Sequence, residues 1–200
     1  MPLFPADRLV IATHNRGKLR EFATFFGTSC GTLVAAGELG LPEPEETGTT
    51  FAENALIKAR AAATASQSVA LADDSGLCVT GLGGDPGLYS ARWAGPSKDF
   101  QMAMRRVHEG LGDTPDRSAY FIAVLALVLP DGREYLFEGR VTGGIVWPPR
   151  GDQGHGYDPV FVPDGKSRTF AEMNDAEKNA LSHRGKAVAK FMAWVKSNAT

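Results

Sequence analysis

Two adjacent aspartates, Asp73 and Asp74, are the residues of this 200-residue chain best suited to acid–base or metal chemistry. They follow a short apolar run, residues 69–72, which is typical of a buried strand, and we expect the strand to end at them. Two carboxylates at the end of a buried strand are costly unless a cation, hydrogen bonds or a proton compensate them. The glycine-rich residues 81–87 follow, and such a backbone can approach a ligand closely. The pattern predicts a divalent metal beside a phosphate.

A second candidate site lies near the N-terminus, where a polar loop joins an apolar strand (residues 9–12) to an amphipathic helix. Helix N-termini attract anions through their free N–H groups and the helix dipole. The spacing is neither that of a P-loop nor that of a dinucleotide-binding turn. Two interpretations of this loop therefore remain: an anion-binding site, or an ordinary strand-to-helix turn with a basic end. The loop consists of Thr13, His14, Asn15, Arg16, Gly17 and Lys18.

Residues 41–48 form an acidic loop interrupted by prolines, which precedes a capping box at residues 50–53 and an alanine-rich helix. One of its glutamates could share a metal with the aspartate pair, or all three could be a solvated acidic loop that complements the helix dipole. Lys58 on that helix is either a surface lysine or a phosphate ligand. The glutamates are Glu43, Glu45 and Glu46.

Two polar clusters lie in the last quarter of the chain. The first has flexible glycines, flat rings and one carboxylate, which suits either a pocket for a nucleobase or a plain turn. The second offers several donors, which suits a phosphate or a purine carbonyl, or else a solvated basic helix face. The clusters are His155, Gly156, Tyr157 and Asp158, and then Lys178, Ser182, His183 and Arg184.

The elements that position these residues indicate an α/β fold with a mixed sheet. Strands alternate with helices at the start, and a long hairpin at residues 118–147 then has strands that are mostly apolar on both faces. We expect a helix capped by Ser97 over residues 100–111, with His108 at its surface, and a final amphipathic helix. No repeat or composition shift divides the chain, which predicts a single domain over residues 1–200.

Composition excludes several classes of protein. The net charge of −2 argues against a broad nucleic-acid-binding surface. Cys30 and Cys78 are the only cysteines, which favours a reducing compartment without disulfides. The N-terminus lacks a secretory pattern, and no run reaches the ~20 apolar residues that span a bilayer. We expect a cytoplasmic protein with neither a membrane nor a nucleic-acid partner.

Taken together and in this order, the motifs resemble one family. They are TxNxxK, EETGxTFxxNAxxKA, ADDSGLxVxxLGGxPGxYSAR, GxGYDPxF and EKNxxSHRxKA. The chain resembles the inosine triphosphate pyrophosphatases, also called Ham1-like or XTP/dITP diphosphatases, over nearly its whole length. The resemblance implies an elongated mixed central β-sheet flanked by helices, two lobes around a cleft, and a homodimer. It also implies hydrolysis of ITP, dITP and XTP to the monophosphate and pyrophosphate with Mg²⁺, and with Mn²⁺ as a second candidate metal.

The resemblance also implies roles for individual residues. Asp74 matches the catalytic residue that deprotonates the attacking water, and the metal ligands would be Glu46, Asp73 and Asp74. Residues 13–18 match the triphosphate-binding loop, and phosphate contacts would come from Lys58 and Ser75. The base and sugar pocket would consist of His155, Gly156, Tyr157, Asp158, Lys178, His183 and Arg184.

Hydrogen bonding at positions 1 and 6 of the purine could explain how such a site distinguishes hypoxanthine and xanthine from adenine. Hypoxanthine and xanthine carry a 6-keto group and an N1–H, whereas adenine carries an amino group and a bare N1. If Asp158 accepted from N1–H and donors of residues 182–184 met the keto oxygen, adenine would leave these groups unpaired. Two positions depart from the family pattern: His14 replaces a common glycine, and His155 replaces a common Phe or Trp, which bears on affinity and base preference.

Two other functions compete with this interpretation. A regulator could bind nucleotides without turnover, although the candidate acids and Lys18 are present. A phosphatase acting on sugar phosphates or nucleotides could use the same acidic site and would release orthophosphate.

Overall fold

The computed structural model describes residues 7–198 of the chain. The strands are β1 (Arg8–Ile11), β2 (Thr32–Ala35), β3 (Val69–Val79), β4 (Ser118–Val128), β5 (Glu134–Ile145) and β6 (Phe161–Pro163). The α-helices are α1 (Arg16–Phe26), α2 (Phe51–Ser66), α3 (Phe100–Leu111), α4 (Asp175–Leu181) and α5 (His183–Asn198). The six strands form one sheet in the order β2-β1-β3-β4-β5-β6.

The sheet is mixed, which confirms the predicted α/β class. β1 pairs in parallel with β2 and with β3, so that Ile11 lies beside Ala35 on one side and Leu71 on the other. β5 and β6 pair in antiparallel fashion. Because parallel strands end at the same edge of a sheet, the segments that follow β1 and β2 lie at the level of Asp73 in β3.

Local capping explains where three of the helices begin. Asn15 caps α1, and Thr50 and Glu53 form the predicted capping box of α2. Asp99 rather than Ser97 caps α3, because Asp99 Oδ1 accepts a hydrogen bond from the Met102 amide at 3.0 Å. The expectation that Ser97 caps this helix is therefore wrong by two residues.

Three further expectations differ from the structure. β3 does not end at the aspartates but continues through them to Val79, because the lysines described below compensate their charge. The hairpin strands are not alike: β4 is buried on both faces over most of its length, whereas β5 alternates buried and exposed residues. His108 is half-buried and stacks on Trp147, with the ring centroids 4.3 Å apart.

The described residues group into two compact units, each built from separated stretches of chain. The first consists of residues 7–74, 124–138 and 187–198, and the second of residues 75–123 and 139–186. Phe26 and Phe191 pack in the core of the first unit, and Phe121 and Phe161 in that of the second. The single domain stays a prediction. Across residues 7–198, no helix has both the length and the apolar character needed to cross a membrane.

Candidate active site

The first group of candidate residues lies at the edge of the sheet where β1 and β3 run side by side. Thr13 Oγ1 accepts a hydrogen bond from the Asn15 amide at 3.1 Å, and Asn15 Oδ1 accepts one from the Gly17 amide at 2.8 Å. These bonds fold the loop into the cap of α1, whose first turn contains no acidic residue. The loop therefore presents a helix N-terminus that favours an anion.

Lys18 on the first turns of α1 pairs with Asp73 on β3. Its Nζ lies 3.0 Å from Asp73 Oδ2, and the Asp73 side chain is almost completely buried. A buried carboxylate is costly to leave uncompensated, so this ammonium is what allows the aspartate to stay within the strand. The Lys18 side chain keeps about a third of its surface exposed to solvent, and it can therefore still meet a bound ligand.

Lys58 on α2 is buried and bridges two carboxylates. Its Nζ lies 2.8 Å from Glu46 Oε1 and 2.8 Å from Asp74 Oδ1, and it donates to the Asp73 carbonyl oxygen at 2.9 Å. All three donors of the ammonium are thus used. The sequence allows two interpretations of Lys58, a surface lysine or a phosphate ligand. Because the side chain is buried, the structure excludes the first. Glu46 and Asp74, 28 positions apart in the chain, converge on one cation.

Burial and the neighbouring charges shift the pKa of Asp74. Burial raises the pKa of Asp74 above its usual range, and the neighbouring Glu46 and Asp73 carboxylates raise it further, while Lys58 opposes the rise without cancelling it. Burial lowers the pKa of Lys58, but the charges and hydrogen bonds of Asp74 and Glu46 outweigh it and raise the pKa above the usual range. Asp74 is therefore a partly buried carboxyl group with an increased affinity for protons.

The donor set fits a small divalent cation by its chemistry, because carboxylate oxygens are the ligands that Mg²⁺ prefers. Two ammonium groups face three carboxylates in this group, which leaves one negative charge in excess. Within residues 7–198, no three His, Cys, Asp or Glu side chains are gathered around a common point as a metal centre requires. Lys58 stands between Glu46 and Asp74 instead, so a metal would have to share or replace its contacts.

The second group of candidate residues lies in the second compact unit, and Asp158 is its most connected member. Asp158 is 3% exposed, and its Oδ2 accepts from the His155 amide at 2.7 Å and from Lys178 Nζ at 2.5 Å. A side chain on Gly154 would overlap this same oxygen, and Gly154 has a positive φ of 72°. One carboxylate oxygen thus fastens the turn to α4.

The rings of Tyr157 and His183 in the second group are packed rather than open. Tyr157 is buried against Phe100, and its hydroxyl donates to the Ser90 carbonyl oxygen at 2.8 Å. His183 is also buried, and it stacks on Phe121 with the ring centroids 4.9 Å apart. Both rings therefore contribute to the core of this unit.

Arg184 and Ser75 form the second polar pair of this unit. The Arg184 guanidinium is buried and donates from Nη2 to Ser75 Oγ at 3.0 Å. Ser182 Oγ accepts from the Gly185 amide at 3.0 Å and so supports the start of α5, which carries Arg184. His155 and Arg16, by contrast, are exposed.

Sequence reasoning missed residues that hold the second group in place. Ser90 Oγ accepts from the Leu77 amide at 2.9 Å and donates to the Gly87 carbonyl oxygen at 2.6 Å, in addition to the Tyr157 contact. Phe121 supports His183. Neither residue carries a local signal of this role, because Leu77 and Tyr157 lie 13 and 67 positions from Ser90, and Phe121 and His183 lie on different elements.

Comparison with known proteins relates nearly the whole chain to one family. The model of the Ham1 family matches residues 9–194. The dITP/XTP pyrophosphatase of Gluconobacter oxydans (strain 621H) is 60% identical over 190 residues, which cover 95% of this chain and 91% of the relative. The enzyme of the same name from Caulobacter vibrioides is 54% identical, covering 93% of this chain and 96% of the relative.

Solved structures show the same similarity. The Ham1 protein of Staphylococcus aureus superposes with a TM-score of 0.88 at 37% identity, covering 95% of this chain and 98% of that one. The nucleoside-triphosphatase, or dITP/XTP pyrophosphatase, of Mycobacterium abscessus gives a TM-score of 0.77 at 42% identity, covering 92% and 98%.

Proposed function

Because the chain belongs to the Ham1 family, we propose that it hydrolyses the non-canonical purine nucleotides dITP, XTP and ITP to the monophosphate and pyrophosphate. Such an activity removes deaminated purines before they enter DNA and RNA. The observation that carries the proposal is the convergence of Glu46 and Asp74 on Lys58, beside the Lys18–Asp73 pair. This arrangement has the carboxylates and cations that hydrolysis of a phosphoanhydride needs.

Asp74 is the proposed general base. A base is most effective when its pKa lies closer to the working pH than that of a free carboxyl group, and burial raises the pKa of Asp74 in that direction. Its Oδ1 bonds Lys58, which fixes the orientation of the carboxylate towards a water. Glu46, Asp73 and Asp74 would hold Mg²⁺, which when bound polarises phosphate oxygens and lowers the pKa of a bound water.

Lys18 and Lys58 are the proposed counter-charges for the phosphates. Both ammonium groups already lie within 3.0 Å of carboxylates, so they are held at defined positions before a nucleotide arrives. A preorganised cation stabilises charge that develops on the leaving pyrophosphate without a reorganisation cost at that moment. The Thr13 hydroxyl, the side-chain NH₂ of Asn15 and the first turn of α1 would add donors to the same phosphates.

The base and sugar are assigned to the second group. Asp158 Oδ2 is already engaged by the His155 amide and Lys178, so we propose that the Asp158–Lys178 pair recognises the base as a unit. His183 stacks on Phe121 and Arg184 donates to Ser75, so Lys178 replaces residues 182–184 as the proposed donor to the 6-keto oxygen. Asp158 would hold that donor in place and accept from N1–H. Adenine, with an amino group at position 6, would meet a donor with a donor.

We also propose that the protein acts in the cytoplasm as a homodimer, without nucleic-acid or membrane partners. The resemblance to the family supports the dimer, and the two buried free thiols support a reducing compartment. Sedimentation of the purified protein at micromolar concentration tests the dimer, since a monomer of 21.3 kDa and a dimer of twice that mass separate readily.

Identifying the products of ITP hydrolysis tests the proposed function. With ITP and Mg²⁺, equal amounts of IMP and pyrophosphate are expected. Orthophosphate as the first product would indicate a phosphatase instead, and nucleotide binding without any product would indicate a regulator. Omitting the divalent metal, with a chelator present, should stop product formation and thereby tests the Mg²⁺ requirement.

A further inference from the structure

The ring of His14 joins two segments of the candidate active site that are distant in sequence. His14 Nε2 lies 2.7 Å from the carbonyl oxygen of Leu41. A carbonyl oxygen only accepts hydrogen bonds, so Nε2 must carry the hydrogen in this contact. The other ring nitrogen, Nδ1, lies 4.0 Å from the Glu43 carboxylate, which is largely exposed. The contact therefore ties the phosphate-binding loop to the first residue of the acidic loop.

The Cδ2 edge of the His14 ring is also fitted to its surroundings. The Gly37 amide donates to the Thr13 carbonyl oxygen at 3.2 Å, which brings the segment after β2 against the loop after β1. A Cβ atom on Gly37 would lie 3.2 Å from His14 Cδ2 and 3.3 Å from His14 Cα, which is tighter than ordinary packing allows. The ring thus occupies a place that the missing side chain of Gly37 leaves open.

The position of Leu41 matters because Glu46 follows it by five residues. Pro42 and Pro44 fix two backbone dihedral angles between the two residues. Fixing the start of such a stiffened loop restricts where its other end can lie, since fewer dihedral angles stay free. The far end is held by the Gly48 amide, which donates to Asn54 Oδ1 at 2.8 Å, and Glu46 itself meets Lys58.

We propose that His14 is a positioning residue. It fastens the start of the acidic loop to the phosphate-binding loop, and this contact fixes the position of Glu46 relative to the residues that contact the phosphates. The inference rests on the proposed function, which gives Glu46 and residues 13–18 their roles. It changes the interpretation of His14 from a ligand-binding residue to one that acts through Leu41. The Nε2–H group of its ring donates to the Leu41 carbonyl oxygen and is therefore not the donor to a phosphate.

Two substitutions at position 14 and one control test this inference. His14→Gly removes the ring, and His14→Gln replaces it with a side chain that has an N–H donor of similar reach. Glu43→Gln removes the charge near Nδ1 but leaves the Nε2 contact, so it serves as the control. Each variant is examined without nucleotide or metal by hydrogen exchange of the Leu41 and Gly48 amides, which donate to the Ala36 carbonyl oxygen and to Asn54 Oδ1. Calorimetric titration with Mn²⁺ is the second measurement.

Loss of one hydrogen bond predicts exchange of the Leu41 and Gly48 amides that is about three- to tenfold faster in His14→Gly. The dissociation constant for Mn²⁺ should rise by about the same factor, because a less restricted acidic loop holds Glu46 in place less often. His14→Gln should recover much of both changes, and Glu43→Gln should match the wild type. A purely local packing defect would accelerate exchange without this recovery by glutamine.

Unchanged exchange in His14→Gly, or faster exchange with an unchanged Mn²⁺ affinity, would overturn the inference. If His14→Gly does not fold, the comparison of His14→Gln with a His14→Met variant, which lacks a donor, decides between the same outcomes. The proposed function fails separately, through the absence of IMP and pyrophosphate with the wild-type protein. Exchange and Mn²⁺ binding can be compared among the variants even in that case.

Discussion

The two groups of candidate residues differ in how their charges are compensated. In the first group, Lys18 and Lys58 pair with carboxylates through contacts of 2.8–3.0 Å, and Lys18 stays partly exposed. In the second group, Asp158 binds both a lysine and a backbone amide, and neighbouring rings such as His183 are packed into a core. The first group thus combines close ion pairs with a lysine that solvent can reach, whereas most polar side chains of the second group are buried.

The difference suggests a division of labour. The first group holds charges that can be redistributed when a triphosphate and a metal arrive, which suits bond cleavage. Most of the second group is buried and held by hydrogen bonds and ring contacts. This suits discrimination between bases, because a mismatched base would leave buried polar groups without a partner. Substitutions in the first group should therefore change the rate for every nucleotide, and those in the second group should change the ratio between nucleotides.

The largest effect is expected at Asp74. Asp74→Asn removes the proposed base but keeps an oxygen that can accept from Lys58, so turnover of ITP should fall by about 10²- to 10⁴-fold while nucleotide binding changes little. The measurement is initial-rate release of pyrophosphate together with equilibrium binding of ITP. Asp116→Asn, an exposed aspartate that bonds only its neighbour Ser118 in the described structure, should keep the wild-type rate. Full activity in Asp74→Asn would remove Asp74 from the mechanism.

Removing the bridging ammonium should be the most destabilising change in the first group. Lys58→Met leaves Glu46 and Asp74 facing each other without their cation, and breaking a buried ion pair in this way costs about 3–5 kcal/mol. Urea denaturation at neutral pH measures the loss. Lys196→Met, on the exposed side of α5, provides the matched control and should unfold like the wild type.

The pH dependence of stability in the Lys58→Met variant tests whether the uncompensated carboxylates cause the loss. Lys58 is the group that lowers the pKa of Asp74, so without the ammonium this pKa should rise further above the unfolded value of about 4. The folded protein then binds protons that the unfolded chain does not, so stability should recover as the pH falls towards that value. A loss of stability that stays constant with pH would mean that the carboxylates are not responsible.

A smaller effect is expected from Asp158→Ala. This change removes the acceptor of both the His155 amide and Lys178, and a buried donor without its partner costs about 1–3 kcal/mol. If the pair recognises the base, the ITP-to-ATP ratio of kcat/KM should fall by roughly tenfold or more. Asp158→Asn, which keeps an acceptor for the amide, should lie between Asp158→Ala and the wild type. An unchanged ratio in Asp158→Ala would contradict base recognition by this residue.

The smallest effect concerns the pH profile. The negative charge of Glu46 helps to raise the pKa of Asp74, so Glu46→Gln should lower that pKa. Because Asp74 acts as a base only when deprotonated, the acid limb of kcat/KM should move to lower pH, whatever the height of the profile. Glu45→Gln, the neighbouring exposed glutamate, should leave the limb in place. A shift to higher pH in Glu46→Gln would contradict the electrostatic account of Asp74.

Much of the first group could be predicted from sequence because its signals are local. The strand before residue 13, the capping box of α2 and the apolar run before Asp73 each follow from patterns within a few residues. The predicted end of β3 was wrong for the converse reason. Lys18 and Lys58, which lie 55 and 15 positions from Asp73, compensate the aspartates, and no local pattern reveals that compensation.

The second group was less predictable, although its residues were identified by resemblance. Sequence could propose Asp158 as an acceptor for a base, but not that its Oδ2 already binds Lys178, 20 positions away. Likewise, no sequence pattern indicates that the Tyr157 hydroxyl donates a hydrogen bond to the Ser90 carbonyl oxygen, 67 positions away. Distances between remote side chains decide whether a polar residue is open to a ligand or committed to the fold, and only the folded structure supplies them.

One pair of matched substitutions tests the division of labour most directly. Lys18→Met and Lys178→Met each remove one ammonium that pairs with a buried aspartate, one from each group, and kcat/KM is measured for ITP and ATP. If the two groups divide their roles in this way, Lys18→Met lowers kcat/KM for ITP and for ATP by the same factor, so that their ratio is kept. Lys178→Met then lowers kcat/KM for ITP much more than kcat/KM for ATP. A changed ratio in Lys18→Met, or an unchanged ratio in Lys178→Met, would contradict this division.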